Sequence, residues 1–306
     1  MSLDILPGPL LSERTTLRLG GKALAEVVLA EEADLHELDS ALSKLGGRPF
    51  VLGKGSNILA LDGDHDLVLI RPQVLLEGEK PWQLLREEAD HVLVRVGAGA
   101  KLPGLVREFA AKGWAGLQGM AGIPGLFGGA VAMNAGSFGS ETGRCLFRVQ
   151  VFCPGQGVQW LEPGQWETGY RHFRIKHGDE SPYFVVAAAE LKLDKGIPEE
   201  ITAAMLEAMD KKKATQPIQA WSAGSAFKNP GGPGSGVSAG KLLDDAGFRG
   251  FTLGGMAFSE KHANFLVNTG KGTASEAINL IAMAQDKVKD MSGHELELEV
   301  RICPCN

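Results

Sequence analysis

The sequence predicts an α+β protein made of two domains. Short runs rich in Val, Leu and Ile predict strands, capped periodic segments predict helices, and a helix start at Gly196–Glu200 marks a junction between domains. At 306 residues the chain is long enough for two domains of roughly 100–200 residues each. We place an N-terminal domain at residues 1–195, with subdomains at about 1–75 and 76–195, and a C-terminal domain at residues 196–306.

The N-terminal domain is predicted to be rich in strands. One helix is expected over Gly104–Lys112, where apolar residues recur on one helical face, and it should end at Gly113 because glycine commonly follows a helix C-terminus. Runs dense in β-branched and aliphatic residues predict strands. These runs are Glu26–Leu29, Pro49–Leu52, Asp66–Arg71, His91–Val96, Phe147–Phe152 and Tyr183–Leu193.

The elements of the C-terminal domain follow from caps and periodicity. A helix should begin at Pro198, with acidic residues in its first turn, and end near the lysines at 211–213. A long helix should begin at the capping box Thr273–Glu276. Shorter predicted elements are a helix over Ala239–Ala246 and strands at Asn264–Asn268 and Glu295–Ile302, the last because apolar and polar residues alternate strictly.

The composition limits the class of protein. Apolar residues make up 44% and charged residues 22% of the chain, as in ordinary globular proteins. The net charge of −6 argues against a nucleic-acid or membrane-surface partner. With no membrane-length apolar run and no signal peptide at the start, we expect a cytoplasmic protein. Cys303 and Cys305 lack a second ligand pair for zinc, so we expect no metal and reduced thiols.

The segment Gly116–Gly139 is the most informative part of the chain. It carries eight glycines in twenty-four residues but keeps apolar residues between them, unlike a flexible linker. Glycines held within apolar structure indicate a close backbone approach or a positive φ. Successive bare N–H groups form a concave site for phosphate, so the segment predicts a pyrophosphate cradle for a nucleotide cofactor. The alternative is a glycine-rich turn that only allows tight packing.

A second glycine loop follows a predicted strand, at Leu52-Gly-Lys-Gly-Ser-Asn57. Gly53 and Gly55 permit a close approach, and Ser56 and Asn57 add short donors for phosphate oxygens. Two such loops could serve one pyrophosphate. A Rossmann site is excluded because no G-x-G-x-x-G follows a strand, and the Gly236–Lys241 segment lacks the first glycine and the Ser or Thr of a P-loop.

Three polar spots later in the chain are candidate sites. Gly169–Arg174 places two arginines beside a tyrosine, where a guanidinium suits a carboxylate or phosphate, although the residues alone favour a solvated surface run. Gly224–Pro230 does not fit the G-x-S-x-G nucleophile elbow, because Phe227 replaces the second glycine. The alternating glutamates of the last predicted strand, Glu299 among them, are by default a solvated face.

Taken in order, these segments resemble the UDP-N-acetylenolpyruvoylglucosamine reductase family, in its shorter subclass. The matching runs span nearly the whole chain in the family's order. They are Thr15–Gly21, Leu52–Asn57, Ala121–Ala130 with Asn134–Gly136, Gly169–Arg171, Ala214–Pro217, Gly224–Pro230, Ala239–Leu242, Lys261–Phe265 and Leu298–Arg301.

The resemblance implies a two-part FAD-binding unit of the vanillyl-alcohol-oxidase type and a C-terminal α+β substrate-binding domain. It also implies non-covalent FAD, NADPH as co-substrate, and UDP-N-acetyl-3-O-(1-carboxyvinyl)-glucosamine as substrate in peptidoglycan precursor synthesis. NADPH gives hydride to the flavin, and the enolpyruvyl ether then takes hydride from flavin N5 and a proton from the protein, yielding UDP-N-acetylmuramate. A monomer is expected.

The resemblance also assigns residues to roles. Arg171 and Glu299 polarise the substrate carboxylate, and Ser225 donates the proton. Tyr170, Lys213, Lys228 and Asn229 are expected to bind substrate, with Lys228 a possible neighbour of Ser225. The expected FAD-binding residues are Gly53, Lys54, Gly55, Ser56, Asn57, Ala121, Gly122, Ile123, Gly125, Gly128, Gly129, Asn134 and Ala135.

The chain departs from the family pattern at several positions. The family usually has Asn at position 14, Thr or Ser at 126, Tyr at 138, Ser at 173 and Phe at 175, where this chain has Arg, Leu, Phe, Phe and Ile. Phe173 bears on the local setting of Arg171. Two other classes remain open: an oxidase or dehydrogenase for another sugar or alcohol on the same flavin fold, and a non-catalytic nucleotide-binding protein. Retention of Arg171, Ser225 and Glu299 argues against the latter.

Overall fold

The computed structural model describes residues 3–176, 183–232 and 234–304, and it confirms the α+β fold class. Its α-helices are α1 Leu38–Leu45, α2 Leu102–Ala111, α3 Phe127–Ala132, α4 Thr142–Cys145, α5 Pro198–Thr215, α6 Ala239–Asp245 and α7 Ala274–Ser292. Short 3₁₀ helices lie at Leu11–Glu13, Glu32–His36, Glu77–Glu79 and Gln118–Met120.

The strands, in chain order, are β1 Asp4–Pro7, β2 Lys22–Leu29, β3 Arg48–Val51, β4 Ile58–Ala60, β5 Asp64–Pro72, β6 Trp82–Glu87, β7 His91–Gly97, β8 Trp114–Ala115, β9 Gly136–Ser137 and β10 Ser140–Glu141. They continue with β11 Leu146–Cys153, β12 Gly157–Leu161, β13 Trp166–Gly169, β14 His172–Ile175, β15 Val185–Lys195, β16 Trp221–Ser225, β17 Thr252–Leu253, β18 Met256–Phe258, β19 Phe265–Asn268 and β20 Arg301–Cys303.

The chain folds into two compact units, each assembled from separate chain segments. Unit 1 comprises the described residues within 1–7, 25–54 and 66–211. Unit 2 comprises those within 8–24, 55–65 and 212–306. The division into an N-terminal and a C-terminal domain at residue 195 stays a prediction.

Unit 1 is built on a sheet in the order β12-β11-β15-β7-β6, with β8 paired to the end of β15. A second sheet has the order β1-β2-β5-β3, in which β3 runs parallel to β5. One face of the larger sheet is covered by apolar side chains of α2 and α3, including Phe109, Phe127 and Val131, all fully buried. Helix α2 ends as predicted, because Gly113 follows it with a φ of 75°.

A buried ion cluster fixes the register of the three inner strands. Glu190 of β15 is 1% exposed and lies opposite Arg95 of β7 and Arg148 of β11. Arg95 donates two hydrogen bonds to its carboxylate, at 2.8 and 3.1 Å, and Arg148 donates two more, at 2.8 and 3.0 Å. Both guanidinium groups lie over the ring of Trp160, at 5.0 and 4.5 Å from its centroid. A one-residue slip would bury an unpaired charge, which the sheet cannot tolerate.

Unit 2 contains an antiparallel sheet in the order β16-β19-β18-β17. Helix α7 contributes buried Ala277, Ile281 and Val288 to its core. The predicted capping box is confirmed: Thr273 Oγ1 accepts the Glu276 N–H at 3.2 Å, and the Glu276 carboxylate accepts the Thr273 N–H at 3.0 Å.

The last predicted strand is wrong over most of its length. Instead of a strand over Glu295–Ile302, an isolated bridge joins Leu298 to Phe227, and a strand forms only at β20, parallel to β4. The N–H groups of Glu299 and Val300 both point to the carbonyl of Ala226, at 2.9 and 3.3 Å, so the backbone there does not form a regular ladder. Alternation of buried Leu296 and Val300 comes from packing in the core.

We expect replacement of Glu190 to change how stability depends on pH. Burial alone would raise the pKa of Glu190, but the hydrogen bonds and charges of Arg148 and Arg95 outweigh it and hold the pKa below its ordinary value. The stabilisation is therefore complete above about pH 4.3, the ordinary glutamate pKa, and is lost as the pH falls through the folded-state value. At pH 7, Glu190→Gln should lower the free energy of unfolding by about 1–3 kcal/mol.

Urea unfolding of wild type and Glu190→Gln between pH 7 and pH 3 measures this difference, which should shrink as the pH falls. Glu162→Gln is the matched control: that glutamate pairs with Arg148 at 3.6 Å but is 58% exposed, so its loss should change stability by less than about 1 kcal/mol. Parallel pH profiles for Glu190→Gln and wild type would contradict the assignment.

Candidate functional site

The glycine-rich segment enters α3 directly against the main sheet of unit 1. Gly128 donates its N–H to the carbonyl of Ala98 at 2.9 Å, and Phe127 donates to Ala100 at 2.8 Å. A Cβ added at Gly128 would lie 2.7 Å from the Cβ of Ala98, so only glycine allows this approach. Gly128 therefore serves the packing of α3 on the sheet.

A second close contact shapes the loop after α3. A Cβ at Gly119 would lie 2.5 Å from the carbonyl oxygen of Ser137. The Gly119 N–H donates to Ser140 Oγ at 3.0 Å, and both the N–H and the hydroxyl of Thr142 donate to the Ala135 carbonyl at 2.9 Å. The hairpin of β9 and β10 is thereby fixed on the 3₁₀ turn at Gln118–Met120.

The backbone of the glycine-rich segment retains donors that suit a phosphate. Gly122 has a φ of 77° and Gly125 a φ of 138°, conformations that favour glycine. Across residues 3–176, 183–232 and 234–304, no hydrogen-bond acceptor meets their N–H groups. Ile123, by contrast, donates to Met120 at 3.0 Å. A Cβ at Gly129 would meet nothing within 4 Å, so space remains beside α3. The segment fits a bound dinucleotide phosphate.

Residues 55–57, the second half of the loop Leu52–Asn57, make close contacts within unit 2. A Cβ at Gly55 would lie 2.3 Å from the Arg14 carbonyl oxygen, and the φ of Gly55 is 64°. Asn57 donates its Nδ2 to the Glu299 carbonyl at 2.9 Å and accepts the Arg301 N–H at 3.0 Å. In unit 1, Gly53 is half-buried and a Cβ there would meet nothing within 4 Å, whereas Lys54 is exposed. That this loop and the glycine-rich segment share one pyrophosphate stays a prediction.

Arg171 lies on a turn that is tied to the glycine-rich segment. Its Nη1 donates to the Gly136 carbonyl at 3.1 Å, and its guanidinium carbon lies 5.1 Å from the centre of the Tyr170 ring. The φ of Arg171 is 62°, in the left-handed region that a non-glycine residue rarely adopts. A residue held in such a conformation indicates a position fixed by its surroundings, as at many binding sites.

Phe173, a departure from the family pattern, is explained by the core. It is 6% exposed and stacks on Trp166 at a centroid distance of 6.3 Å, and its ring is tilted by 50° to that of Phe184 at 5.7 Å. Neighbouring residues of a strand point to opposite faces, so Phe173 and exposed His172 of β14 alternate between core and solvent. Phe173 contributes to the apolar core beneath the turn that carries Arg171.

In unit 2 the backbone of Glu299 is hydrogen-bonded to Ala226, the residue that follows Ser225. Ser225 ends β16, where it pairs with Phe265, and Ala226 follows it. The Ala226 carbonyl accepts the Glu299 N–H at 2.9 Å. Both side chains are half-buried, and within the part of the chain that the structure describes no hydrogen-bond partner meets the Ser225 hydroxyl. Gly224, which precedes Ser225, has a φ of 80°, a conformation that favours glycine.

The three alternating glutamates have different surroundings. Glu295 pairs with Lys289 at 2.7 Å, and both side chains are exposed. The side chain of Glu297 forms an ion pair with the Lys228 ammonium. The backbone N–H of Lys228 also donates to the backbone carbonyl of Glu297 at 2.8 Å. Glu299 is half-buried. The solvated-face interpretation therefore holds for Glu295 and Glu297, and the Lys228 ammonium is engaged by Glu297.

The remaining expected substrate residues are distributed over both units. Tyr170 is half-buried on the Arg171 turn of unit 1. In unit 2, Lys213 is exposed near the end of α5, and its carbonyl accepts the Lys261 ammonium. Asn229 Oδ1 accepts the Ala239 N–H, the first residue of α6, at 3.0 Å. Their roles in binding stay predictions.

The structure adds a functional candidate that the sequence did not reveal. Glu141, at the end of β10, accepts a hydrogen bond from Asn134 Nδ2 at 2.6 Å. The pair stands seven positions apart, and only the β9–β10 hairpin brings it together. A glutamate following a glycine-rich run gives no pattern that would have indicated this contact.

The described ranges hold no group of three or more His, Cys, Asp or Glu side chains arranged for a metal ion. They also contain no helix with the length and apolar composition to cross a bilayer. Cys145, Cys153 and Cys303 are buried, and Cys305 lies outside the described residues. Burial and the charge of Asp194 raise the pKa of the Cys145 thiol to about 11, so it is unreactive near neutral pH.

Comparison with known proteins defines the class. A family model of the FAD binding domain matches residues 23–161. A second model, the C-terminal domain of UDP-N-acetylenolpyruvoylglucosamine reductase, matches residues 216–303. The chain is therefore an FAD-dependent oxidoreductase, in agreement with the phosphate-compatible backbone of unit 1.

Full-length relatives identify the family. The UDP-N-acetylenolpyruvoylglucosamine reductases of Nitratidesulfovibrio vulgaris and Oleidesulfovibrio alaskensis are each 50% identical to the chain, and each alignment covers 98% of both sequences. The crystal structure of the reductase from Thermus caldophilus is 34% identical and superposes with a TM-score of 0.78, covering 99% of this chain and 100% of that one. The chain belongs to the UDP-N-acetylenolpyruvoylglucosamine reductase family.

The two adjacent glycines of α3 provide a test of the packing that supports the cradle. Gly128→Ala should lower the free energy of unfolding by about 1–3 kcal/mol, because the new methyl group would overlap Ala98. Gly129→Ala places its methyl group in open space within a helix, so it should leave stability unchanged or raise it by about 0.5–1 kcal/mol. Urea unfolding without added FAD compares them, because both glycines are also expected to contact FAD. Equal effects of the two substitutions would rule out the proposed role of Gly128.

Proposed function

We propose that the chain reduces the enolpyruvyl ether of UDP-N-acetylglucosamine to UDP-N-acetylmuramate, with NADPH as the reductant, in peptidoglycan precursor synthesis. The observation that carries the proposal is the link through Ala226 between Ser225 and Glu299, in a chain that keeps Arg171 as well. The relatives that align with nearly the full length of the chain are named as this reductase. We further propose that the protein acts as a cytoplasmic monomer.

FAD would be held largely by backbone donors. The N–H groups of Gly122 and Gly125 in the glycine-rich segment, and the half-buried Gly53, are the donors best suited to its phosphates. Leu126 provides no hydroxyl there, which places more of the binding on the backbone. When bound, the flavin supplies the hydride chemistry between NADPH and the substrate.

Arg171 and Glu299 would prepare the substrate for reduction. An enolpyruvyl ether accepts hydride poorly until negative charge on its carboxylate is stabilised. A guanidinium pairs with a carboxylate through two parallel hydrogen bonds, and a glutamic acid can share a proton with the second oxygen. Groups placed in advance at developing charge commonly provide about 3–4 kcal/mol of transition-state stabilisation each. The fixed backbone of Arg171, with its φ of 62°, supports such advance placement.

Ser225 would deliver the proton to the carbon beside the newly reduced one. Its hydroxyl has no protein hydrogen-bond partner among the described residues, so its proton is available to a bound substrate. Because Lys228 is engaged by Glu297, we do not assign Lys228 to the activation of Ser225. Tyr170, Lys213 and Asn229 would bind the nucleotide sugar, with exposed Lys213 as a point charge for the diphosphate.

An anaerobic absorbance titration tests the proposal directly. The oxidised flavin band at about 450 nm should bleach when NADPH is added and recover when the enolpyruvyl nucleotide follows. Bleaching without recovery would retain the flavoprotein and move its substrate to another sugar or alcohol. A protein that cannot be loaded with FAD would refute the proposal as a whole.

The Ser225→Ala variant separates the two half-reactions. It should leave reduction of the flavin by NADPH nearly intact and slow reoxidation by substrate at least about 100-fold, the size expected for loss of a positioned acid. Glu299→Gln should slow the same half-reaction. Stopped-flow absorbance measures both steps, and Ser43→Ala, which removes an exposed hydroxyl on α1, serves as the control. An equal decrease in both half-reactions would show that Ser225 does not act as the proton donor.

A further inference from the structure

Asn134 occupies the centre of a buried network in unit 1. Its side chain is among the least exposed polar groups of the chain, at 1%. Nδ2 donates to Glu141 Oε1 at 2.6 Å and to the Gly169 carbonyl at 2.9 Å. Oδ1 accepts the Gly143 N–H at 2.8 Å. The φ of Asn134 is 44°, a left-handed conformation that asparagine tolerates better than most residues.

The hydrogen bonds of Asn134 allow only one orientation of its amide. Two acceptors, a carboxylate and a carbonyl, face one side, and one N–H donor faces the other, so a flipped amide would oppose like groups on both sides. Both Nδ2 protons are thus donated within the protein. The side chain of Asn134, a residue that the family resemblance assigns to FAD binding, therefore has no donor left for the cofactor.

The network acts on the segment that carries Arg171. Gly169, whose carbonyl is held by Asn134, lies two positions before Arg171, and Arg171 Nη1 is itself bound to the Gly136 carbonyl two positions after Asn134. The turn is therefore tied at both its backbone and its guanidinium to one short stretch of chain. Such double attachment offsets the strain of the left-handed Arg171 backbone.

Glu141 determines whether this arrangement holds. Its carboxylate is the only acceptor among the described residues that is both charged and bonded to Asn134, and a hydrogen bond to a charged acceptor contributes more than a neutral one. Without it, one Nδ2 proton would be buried and unsatisfied, and the amide could rotate away from Gly169. The second partner of Glu141 is Arg144, at 3.5 Å and 72% exposed, a pair of little energetic weight.

We propose that Glu141 is a positioning residue for Arg171, acting through Asn134. The inference rests on the proposed function, because it assigns to Arg171 the binding of the substrate carboxylate. Glu141 and Asn134 hold the Gly169–Arg171 turn so that the guanidinium is oriented before substrate arrives. Displacement of a catalytic group by about 1 Å slows a reaction as much as 100-fold, so an indirect contact of this kind has a measurable effect.

Three variants test the role of Glu141 in the FAD-loaded enzyme. Glu141→Ala should slow flavin reoxidation by the enolpyruvyl nucleotide at least about tenfold, while flavin reduction by NADPH changes less than about twofold. Glu141→Gln keeps an acceptor for Asn134 Nδ2 and should recover most of the rate. Arg144→Ala is the matched control, since it removes the same surface ion pair but leaves the Asn134 contact, and it should behave as wild type.

A double-mutant cycle tests whether the effect passes through Arg171. In an Arg171→Ala background, Glu141→Ala should add less than about a twofold further decrease, because residues that act through one another are not additive. Multiplication of the two effects would overturn the proposal. So would a Glu141→Ala enzyme whose two half-reactions fall equally, or one that reoxidises as fast as wild type.

Hydrogen exchange provides a readout that needs no turnover. In Glu141→Ala, the Gly143 amide, which donates to Asn134 Oδ1, should exchange at least about tenfold faster than in wild type, and Arg144→Ala should leave it protected. Unchanged Gly143 exchange would contradict the role of Glu141 in fixing the Asn134 side chain. If wild-type enzyme fails to reoxidise with the enolpyruvyl nucleotide while Gly143 loses protection in Glu141→Ala, the proposed function fails, but the role of Glu141 in fixing Asn134 is retained.

Discussion

The carboxylate of Glu190 is the group on which the structure of unit 1 depends. Because two guanidinium groups meet it from both neighbouring strands, β7, β15 and β11 have one register. That register sets where Ala98 follows β7, and α3 packs on this residue through Gly128. The glycine-rich segment thus packs, through the apolar side chains of α3, on a sheet whose strand register is fixed by this ion cluster.

The position of Arg171 in the candidate site depends on contacts that follow from the packing of α3. Once α3 is seated, the hairpin of β9 and β10 returns the chain so that Glu141 meets Asn134. Asn134 then reaches the turn that carries Arg171. Each step uses a backbone conformation or a close approach that few residues permit. A side chain whose position is fixed in advance needs little reorganisation when it binds a charged group. Such preorganised groups commonly provide the largest electrostatic stabilisation in enzymes.

Local signals predicted much of the fold, and long-range contacts account for the failures. The capping box at Thr273 and the glycine at Gly113 act within one turn of their helices, so the sequence is sufficient to find them. Helix α3 contains two glycines and no amphipathic pattern, and it exists because it packs on Ala98, which no local signal predicts. The strand expected at Glu295–Ile302 failed because its alternation reflects core packing around Ala226. Motif order indicated Arg171, Ser225 and Glu299, whereas Glu141 depends on a chain reversal.

Unit 2 is completed by chain segments that are made far apart in time. Asn57 bonds to Glu299 across 242 positions, and β4 is the parallel partner of β20. During synthesis on the ribosome, Leu17, Leu19 and Leu59 must therefore remain without their complete core until β20 has left the exit tunnel. A C-terminal fragment that begins at the predicted junction near residue 196 would lack those three leucines and also β4, the partner of β20. This protein is consequently a poor candidate for division into separately expressed domains, and a truncation that removes β20 should destabilise the core of unit 2.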